Sequence, residues 1–174
     1  MIALGVDPSL TCTGVATVDT ATGEKLTRRV KTANRGGTLA ARRGRLREAI
    51  AAILDPLPRR VGVSVIELPN ARQQYGAQAE RHALTWWLID QLMARGPVVA
   101  VTPSQRAKLA TGAGNAGKAV VLATVRAQHP GVTVVDDNAA DALALAAAGA
   151  HWLGFEHPFT DGQATAFARV DWPS

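Results

Sequence analysis

The sequence predicts an α/β fold in which helices flank a mixed five-stranded sheet. Three short apolar or β-branched segments come first, at 2–6, 14–19 and 24–30, and their close spacing predicts an antiparallel meander. Two further strand-like segments, 61–67 and 97–101, each follow a segment with helical periodicity, a pattern typical of parallel strands joined by helices. The chain has 174 residues, 47% of them hydrophobic, which is enough for one sizeable core.

The helices are predicted from apolar spacing and from capping residues. Thr38 and Thr102 are suitable N-caps, and Pro103 fits the first turn of the helix that follows it. Apolar residues recur at helical spacing in five segments: 38–54, 71–95, 102–110, 118–128 and 138–152. The residues after 153 fit no clear pattern, so we expect a domain over 1–153 and leave the tail at 154–174 unassigned.

The helix predicted at 71–95 carries two apolar stripes. One stripe consists of Ala77, Leu84, Leu88 and Leu92, and the other of Ala79, Trp86, Ile89 and Met93. A helix that is apolar on two sides is expected to be buried on two sides. We expect one side to face the sheet and the other to face a partner subunit.

Composition and charge indicate a polyanionic partner. The formal net charge is +5, and nine cationic residues lie between Lys25 and Arg47 without an acidic one. Such a run is either a solvated basic surface or a footprint for a phosphate backbone. Neither a bilayer-spanning apolar stretch nor a signal-like N-terminus is seen, and the single Cys12 cannot form an internal disulfide. These features exclude a secreted or membrane-anchored class and predict a cytoplasmic protein.

Two carboxylates stand where predicted strands end. Asp7 closes the first strand before Pro8, and Glu67 closes the fourth strand two residues before Pro69. An Asp-Pro pair is an ordinary turn former, but a charge that closes a buried strand needs a partner. In open α/β sheets, ligands bind at the edge formed by the carboxyl ends of the strands. Both carboxylates are therefore candidate site residues.

A third acidic group opens the last predicted helix. Asp141 lies one helical turn from both Asp137 and Asn138, so either can share its face. Clustered carboxylates repel one another unless protons or a cation intervene, and their hard oxygens suit Mg²⁺ or Mn²⁺. Two such ions, about 3.5–4 Å apart, would activate a water and stabilise the leaving oxygen in phosphodiester cleavage. The histidines show no metal-ligand spacing that competes with this interpretation.

Four segments, in order along the chain, resemble the motifs of RuvC-type Holliday junction resolvases, which are crossover junction endodeoxyribonucleases. The first motif, in which an aspartate ends strand one, is similar to ALGVDPSLTCTGVA. The second, in which a glutamate closes strand four, is similar to VIELPNARQQYGAQAERHALTWWL. VTPSQRAKLATGAGNAGKAVV resembles the P-x-x-x-K … T-G-x-G-x-A-x-K segment, and NAADALALAAAGAHW resembles the D-A-A-D-A-L-A opening of the last helix. The resemblance extends from residue 1 to about 152.

The resemblance implies an RNase H-like fold and a homodimer that resolves four-way DNA junctions by paired symmetric nicking. It implies that Asp7, Glu67 and Asp141 bind two Mg²⁺ ions per active site, with Mn²⁺ as a substitute, and that the products carry 5′-phosphates. Lys108 and Lys118 would contact phosphate, and Lys118 would help to neutralise charge that develops during the reaction. A branch-migration helicase partner, and action in a bacterial cytoplasm as a cellular or phage-encoded protein, are implied in the same way.

The chain departs from the family pattern at two places. The fourth carboxylate of the family falls on Asn138, and Asp137 is the alternative ligand on the same helix face. We expect Asp137→Ala to lose more activity than Asn138→Ala. The family often places an aromatic wedge shortly after the glutamate, and here Tyr75 or Arg72 could stack on bases, although an ordinary surface loop fits equally well.

The basic helix at 38–54 is the expected contact for DNA, through Arg42, Arg43 and Arg45. Two other functions stay open at this point. One is a protein that binds branched DNA without cutting it, and the other is an RNase H-like nuclease with a different nucleic-acid substrate.

Overall fold

The structure, a computed structural model, describes residues 1–34, 36–70 and 77–174. Five strands form one mixed sheet in the order β3-β2-β1-β4-β5. The first three strands pair antiparallel, whereas β4 pairs parallel with β1 and β5 pairs parallel with β4. The fold class predicted from the sequence is therefore confirmed. The strands are β1 (Ile2–Asp7), β2 (Cys12–Asp19), β3 (Lys25–Lys31), β4 (Val63–Glu67) and β5 (Val98–Val101).

Helices cover both faces of this sheet. The helices in the described residues are α1 (Leu39–Leu54), α2 (Gln78–Met93), α3 (Pro103–Thr111), α4 (Lys118–Gln128), α5 (Asp137–Trp152) and α6 (Asp161–Phe167). Thr38 caps α1 by accepting from the Ala41 amide, and Thr102 forms a capping box with Gln105 at α3. The start predicted for α2, at residue 71, lies outside the described residues.

The sheet separates two hydrophobic cores. On one face, β1 and β4 pack with α1 and α2, whose buried residues include Ile53, Leu84 and Leu88. On the other face lies α5, in which every residue from Ala139 to Ala150 is buried. Most of these α5 residues are alanines, so the helix brings little side-chain volume to the sheet. The helix axis must therefore lie close to the strands.

Glycines in two strands permit this close approach. A Cβ added at Gly5 would lie 2.0 Å from the Ala142 carbonyl oxygen, and one at Gly14 would lie 2.0 Å from the Asn138 carbonyl oxygen. No side chain fits in that space, because real Cβ contacts of this length do not occur. The backbone of α5 thus rests directly on β1 and β2.

Only part of the second apolar stripe predicted for α2 is exposed. Leu84, Leu88 and Leu92 are fully buried, and Ile89 from the second stripe is buried as well. Trp86 and Met93 are 61% and 63% exposed, respectively. These two side chains leave an apolar patch on the outer surface of α2.

Residues 154–174, which the sequence left unassigned, contain α6. Its Gln163 side chain is almost fully buried, and Nε2 donates to the carbonyl oxygens of Leu109 (2.9 Å) and Ala110 (3.0 Å) near the end of α3. The helix is only seven residues long, and short amphipathic segments of this kind give little periodic signal. Within the described ranges, no helix is both long enough and apolar enough to cross a bilayer.

Candidate active site

Asp7 and Glu67 lie side by side because β1 and β4 are parallel neighbours. Val6 pairs with Ile66 in this ladder, so the next residue of each strand is an acid at the same edge of the sheet. The first turns of α5 cross this edge and bring Asn138 and Asp141 to it. Together these residues line one cleft, whose basic lining residues are Arg81, Arg106 and Lys118.

Arg106 lies between two of the three carboxylates. Its Nε donates to Glu67 Oε2 at 2.7 Å, and its Nη1 lies 2.9 Å from Asp141 Oδ1. The Arg106 side chain is only 13% exposed, and the Glu67 and Asp141 side chains are similarly buried. In spite of the short ionic contact, Asp141 Oδ1 accepts no hydrogen bond, because the geometry with Nη1 is unfavourable.

Burial and mutual repulsion disfavour the charged forms of Asp7 and Asp141. Burial raises the pKa of Asp7 well above its usual range, and the nearby Glu67 and Asp141 carboxylates raise it further. Burial also raises the pKa of Asp141 to about 7, although Arg106 opposes this shift. Carboxylates in such a setting gain from any cation that enters the cleft.

Lys118 stands at the mouth of the cleft and is held there by Asp137. It is the first residue of α4, its side chain is 77% exposed, and its Nζ forms an ion pair with Asp137 Oδ2. The hydrogen bond between them raises the pKa of Lys118 and lowers the pKa of Asp137. Asn138 lines the cleft, whereas Asp137 faces Lys118 at its rim. Their positions therefore differ although they are sequence neighbours.

The donor set of the cleft has the chemistry that a hard divalent cation requires. Asp7, Glu67 and Asp141 offer carboxylate oxygens, Asn138 offers an amide oxygen, and Asp141 Oδ1 is buried without a hydrogen bond. In the ranges 1–34, 36–70 and 77–174, no three His, Cys, Asp or Glu side chains are arranged so that they could together hold a metal ion. The side chains are therefore of the type that binds such a cation. The Arg106 guanidinium lies between two of them, Glu67 and Asp141.

Arg106 was not among the residues singled out from the sequence. A signal existed, because α3 begins directly after β5 and therefore at the same sheet edge as Asp7 and Glu67. Side chains in the first turn of such a helix can reach that edge. Lys108, which the family resemblance singled out, lies on the opposite side of α3 and lines a separate depression beside α6. A role for Lys108 in phosphate binding stays a prediction.

The residues predicted to bind DNA on α1 have different environments. Arg42 forms an ion pair with Glu80, and Arg45 donates to the Leu10 carbonyl oxygen, so both help to hold α1 in place. Arg43 is exposed. Arg72 and Tyr75 lie outside the described residues.

Two solved structures of RuvC from Thermus thermophilus are similar to this chain. The first, described as Thermus thermophilus RuvC structure, has a TM-score of 0.62 and 24% identity, over 91% of this chain and 100% of that chain. The second, T. thermophilus RuvC in complex with Holliday junction substrate, has a TM-score of 0.53 and 24% identity, over 91% of this chain and 99% of that chain. No protein-family model and no curated protein sequence matches the chain. At this level of identity the likeness establishes the architecture, and the chain therefore has the RNase H-like fold of these RuvC structures.

Proposed function

We propose that this protein is a RuvC-type resolvase, a divalent-metal-dependent endonuclease that cuts four-way DNA junctions by paired symmetric nicking. The observation that carries the proposal is one cleft in which three carboxylates, from β1, β4 and α5, lie beside the basic side chains of Arg81, Arg106 and Lys118. This cleft lies at the carboxyl end of the parallel strands, on the fold of a RuvC that has been solved with a Holliday junction substrate. Asp7, Glu67, Asn138 and Asp141, which the sequence motifs indicate, all line this cleft, and this agreement supports the proposal.

The residues of the cleft have separate parts in phosphodiester hydrolysis. Asp7, Glu67, Asp141 and the Asn138 amide oxygen would hold Mg²⁺ or Mn²⁺, which supplies Lewis acidity and a nucleophile at neutral pH when bound. Lys118, exposed at the rim, would bind a phosphate oxygen and balance the charge that develops there. Asp137 keeps the Lys118 ammonium at this position.

The proposal includes a homodimer, which the symmetry of the proposed substrate and the surface of α2 support. Paired nicks in opposed strands require two equivalent sites, which a two-fold dimer provides. The exposed Trp86 and Met93 side chains form the apolar patch that we assign to the subunit interface. Trp86→Glu is expected to give a monomer in sedimentation experiments, whereas a dimer that persists at low micromolar concentration would contradict this assignment.

The proposed DNA surface combines the cleft with exposed cations around it. Arg43 on α1 and Lys118 on α4 are exposed and would contact phosphates. Because such contacts release counterions, junction affinity is expected to fall steeply with salt concentration. Arg42 and Arg45 would act mainly by holding α1 against the rest of the protein.

One assay tests this function. A labelled mobile four-way junction is incubated with the protein in Mg²⁺ and, separately, in Ca²⁺, beside an RNA–DNA hybrid and a linear duplex. We expect symmetric nicks with 5′-phosphate ends in Mg²⁺, absent with Asp7→Asn. Tight junction binding without product at any pH would identify a non-cleaving junction-binding protein. Faster cleavage of the hybrid than of the junction would reassign the substrate within the RNase H-like nucleases.

A further inference from the structure

The Arg106 side chain contacts the same carboxylate oxygens that a cation would need. Glu67 Oε2 accepts from Nε, and Asp141 Oδ1 lies next to Nη1, so one planar guanidinium spans both acids. Arginine suits this arrangement better than lysine because its planar guanidinium is wide enough to contact two carboxylates at once. The three groups are mostly buried, so solvent screens their interaction only weakly.

The backbone that carries Arg106 is well anchored. The capping box of Thr102 and Gln105 fixes the first turn of α3, and Gln163 from α6 binds the carbonyl oxygens near its other end. The guanidinium therefore approaches the acids from a fixed helix, and only its side-chain torsions allow it to leave. Arg106 and the exposed Lys118 line the same cleft.

We propose that Arg106 is an internal counter-ion that competes with the divalent cation for Glu67 and Asp141. With the cation absent, the guanidinium neutralises these acids and keeps them close together. A divalent cation cannot take Glu67 Oε2 and Asp141 Oδ1 while the guanidinium contacts both, so its binding displaces Arg106 from at least one of them. The displaced guanidinium stays within the cleft, where a phosphate group of the substrate is its next acceptor. This inference rests on the proposed function, because it assumes that the cleft takes a divalent cation.

If Arg106 competes with the metal ion, it lowers the affinity of the cleft for that ion. Removal of a competing cation strengthens metal binding, whereas removal of a residue that merely positions the acids weakens it. Coupling between two ligands of one protein is typically about 5- to 150-fold in affinity, so Arg106→Gln is expected to bind Mn²⁺ more tightly by a factor in this range. Arg106→Lys keeps the charge but loses simultaneous contact with both carboxylates, so its Mn²⁺ affinity is expected to lie between those of Arg106→Gln and the wild type.

The test is a titration of Mn²⁺ alone, without DNA, followed by calorimetry and by the electron paramagnetic resonance signal of free Mn²⁺. The proteins are the wild type, Arg106→Gln, Arg106→Lys and the control Arg29→Gln. Arg29 also pairs with an aspartate of the α5 N-terminus, Asp136 at 2.9 Å, but it lies outside the cleft. Circular dichroism in the presence of a chelator checks that each variant is folded. If Arg106→Gln is unfolded, the Mn²⁺ affinity of Arg106→Lys is compared with that of the wild type instead.

The outcomes separate this inference from the proposed function. Tighter Mn²⁺ binding by Arg106→Gln, with Arg29→Gln unchanged, supports the inference. Equal or weaker binding by Arg106→Gln overturns it and leaves the proposed function intact, provided that the wild type binds Mn²⁺ and Asp7→Asn does not. If neither the wild type nor Arg106→Gln binds Mn²⁺, both the inference and the metal-dependent nuclease are wrong.

Discussion

The contact between Gly14 and the start of α5 leads to our most specific prediction. A Cβ at position 14 would lie 2.0 Å from the Asn138 carbonyl oxygen and 2.6 Å from its carbonyl carbon, whereas ordinary contacts begin at 3.4 Å. Gly14→Ala must therefore separate β2 from α5 by more than about 1 Å, since both contacts are made by backbone atoms. Asn138 and Asp141 would move with α5, while Asp7 stays on β1.

The expected losses of nicking rate and of stability follow from this displacement of α5. A misplacement of about 1 Å at a catalytic centre can reduce the rate about 100-fold, and overpacking of a core typically destabilises a protein by about 1–3 kcal/mol. We expect Gly14→Ala to remain folded at low temperature, to melt lower than the wild type and to lose most junction nicking and Mn²⁺ affinity. Nicking is measured at a temperature well below both melting points, so that unfolding does not contribute.

Gly44→Ala is the matched control. Gly44 lies inside α1, and an added Cβ would meet nothing within 4 Å. Alanine is favoured over glycine in a helix interior by about 1 kcal/mol, so this variant is expected to melt higher with unchanged nicking. Wild-type nicking and melting for Gly14→Ala would refute the reasoning, because they would show that α5 does not depend on this contact.

Three further predictions concern the cleft, the C-terminal helix and pH. Since Asn138 lines the cleft and Asp137 holds Lys118, we expect Asn138→Ala to weaken Mn²⁺ binding in calorimetry and Asp137→Ala to leave it unchanged. Asp137→Ala should lower the nicking rate about fivefold or less, the range for an exposed ion pair. This order reverses the one expected from the sequence, and the two variants side by side decide between them. Gln163→Leu leaves two α3 carbonyl groups unpaired, which should lower the free energy of unfolding by about 1–3 kcal/mol in denaturant titrations; an unchanged midpoint would contradict this. Burial, with a smaller effect of His157 and Lys25, lowers the pKa of His129 from 6.5 to about 4. Neutral His129 is therefore fully compatible with the folded state above pH 6.5. As the pH falls from 6.5 toward 4, the unfolded chain binds a proton that folded His129 does not, and the free energy of unfolding decreases. His129 alone should account for a loss of about 2 kcal/mol between pH 7 and pH 5. His157 stacks on His129, and its pKa is likewise lowered to about 4, so His129→Gln should have a shallower but not a flat pH dependence of unfolding.

The sheet and most helices were predictable because their signals are local. Alternation and β-branched residues marked the strands, Thr38 and Thr102 marked helix starts, and parallel pairing followed from the intervening helices. The acids Asp7 and Glu67 were recognisable because a charge at the end of an apolar strand is unusual. Each of these features is determined by residues that are close together in the sequence, so a local pattern is enough to predict it.

Other parts of the site depend on contacts between distant segments. Arg106 belongs to the cleft because α3 starts beside β5, and no local pattern distinguishes it from Lys108 on the same helix. The pairing of Lys118 with Asp137 depends on how α4 meets α5. The start of α3 at the sheet edge can be inferred from the sequence, but which of its side chains enters the cleft is set by three-dimensional packing and has no local sequence pattern.

The segment 154–174 was missed for another reason. Its one helix has seven residues, and it is held by the buried amide of Gln163 and by rings that include Phe159, Phe167 and Trp172. Aromatic clusters and single buried amides have no periodicity, so the usual signal for a helix is weak in this part of the chain.

The late position of α5 in the chain has a consequence for biosynthesis. Asp7 emerges from the ribosome early and Glu67 midway, while Asp141 belongs to a helix that follows all five strands. Until α5 is made, one face of β1, β2 and β4 has no helix to cover it, and contacts this distant in sequence form slowly. A nascent chain therefore contains a partly uncovered sheet and an incomplete cleft. Transiently exposed apolar surface promotes aggregation, and the acidic cleft is complete only once α5 has docked on the sheet.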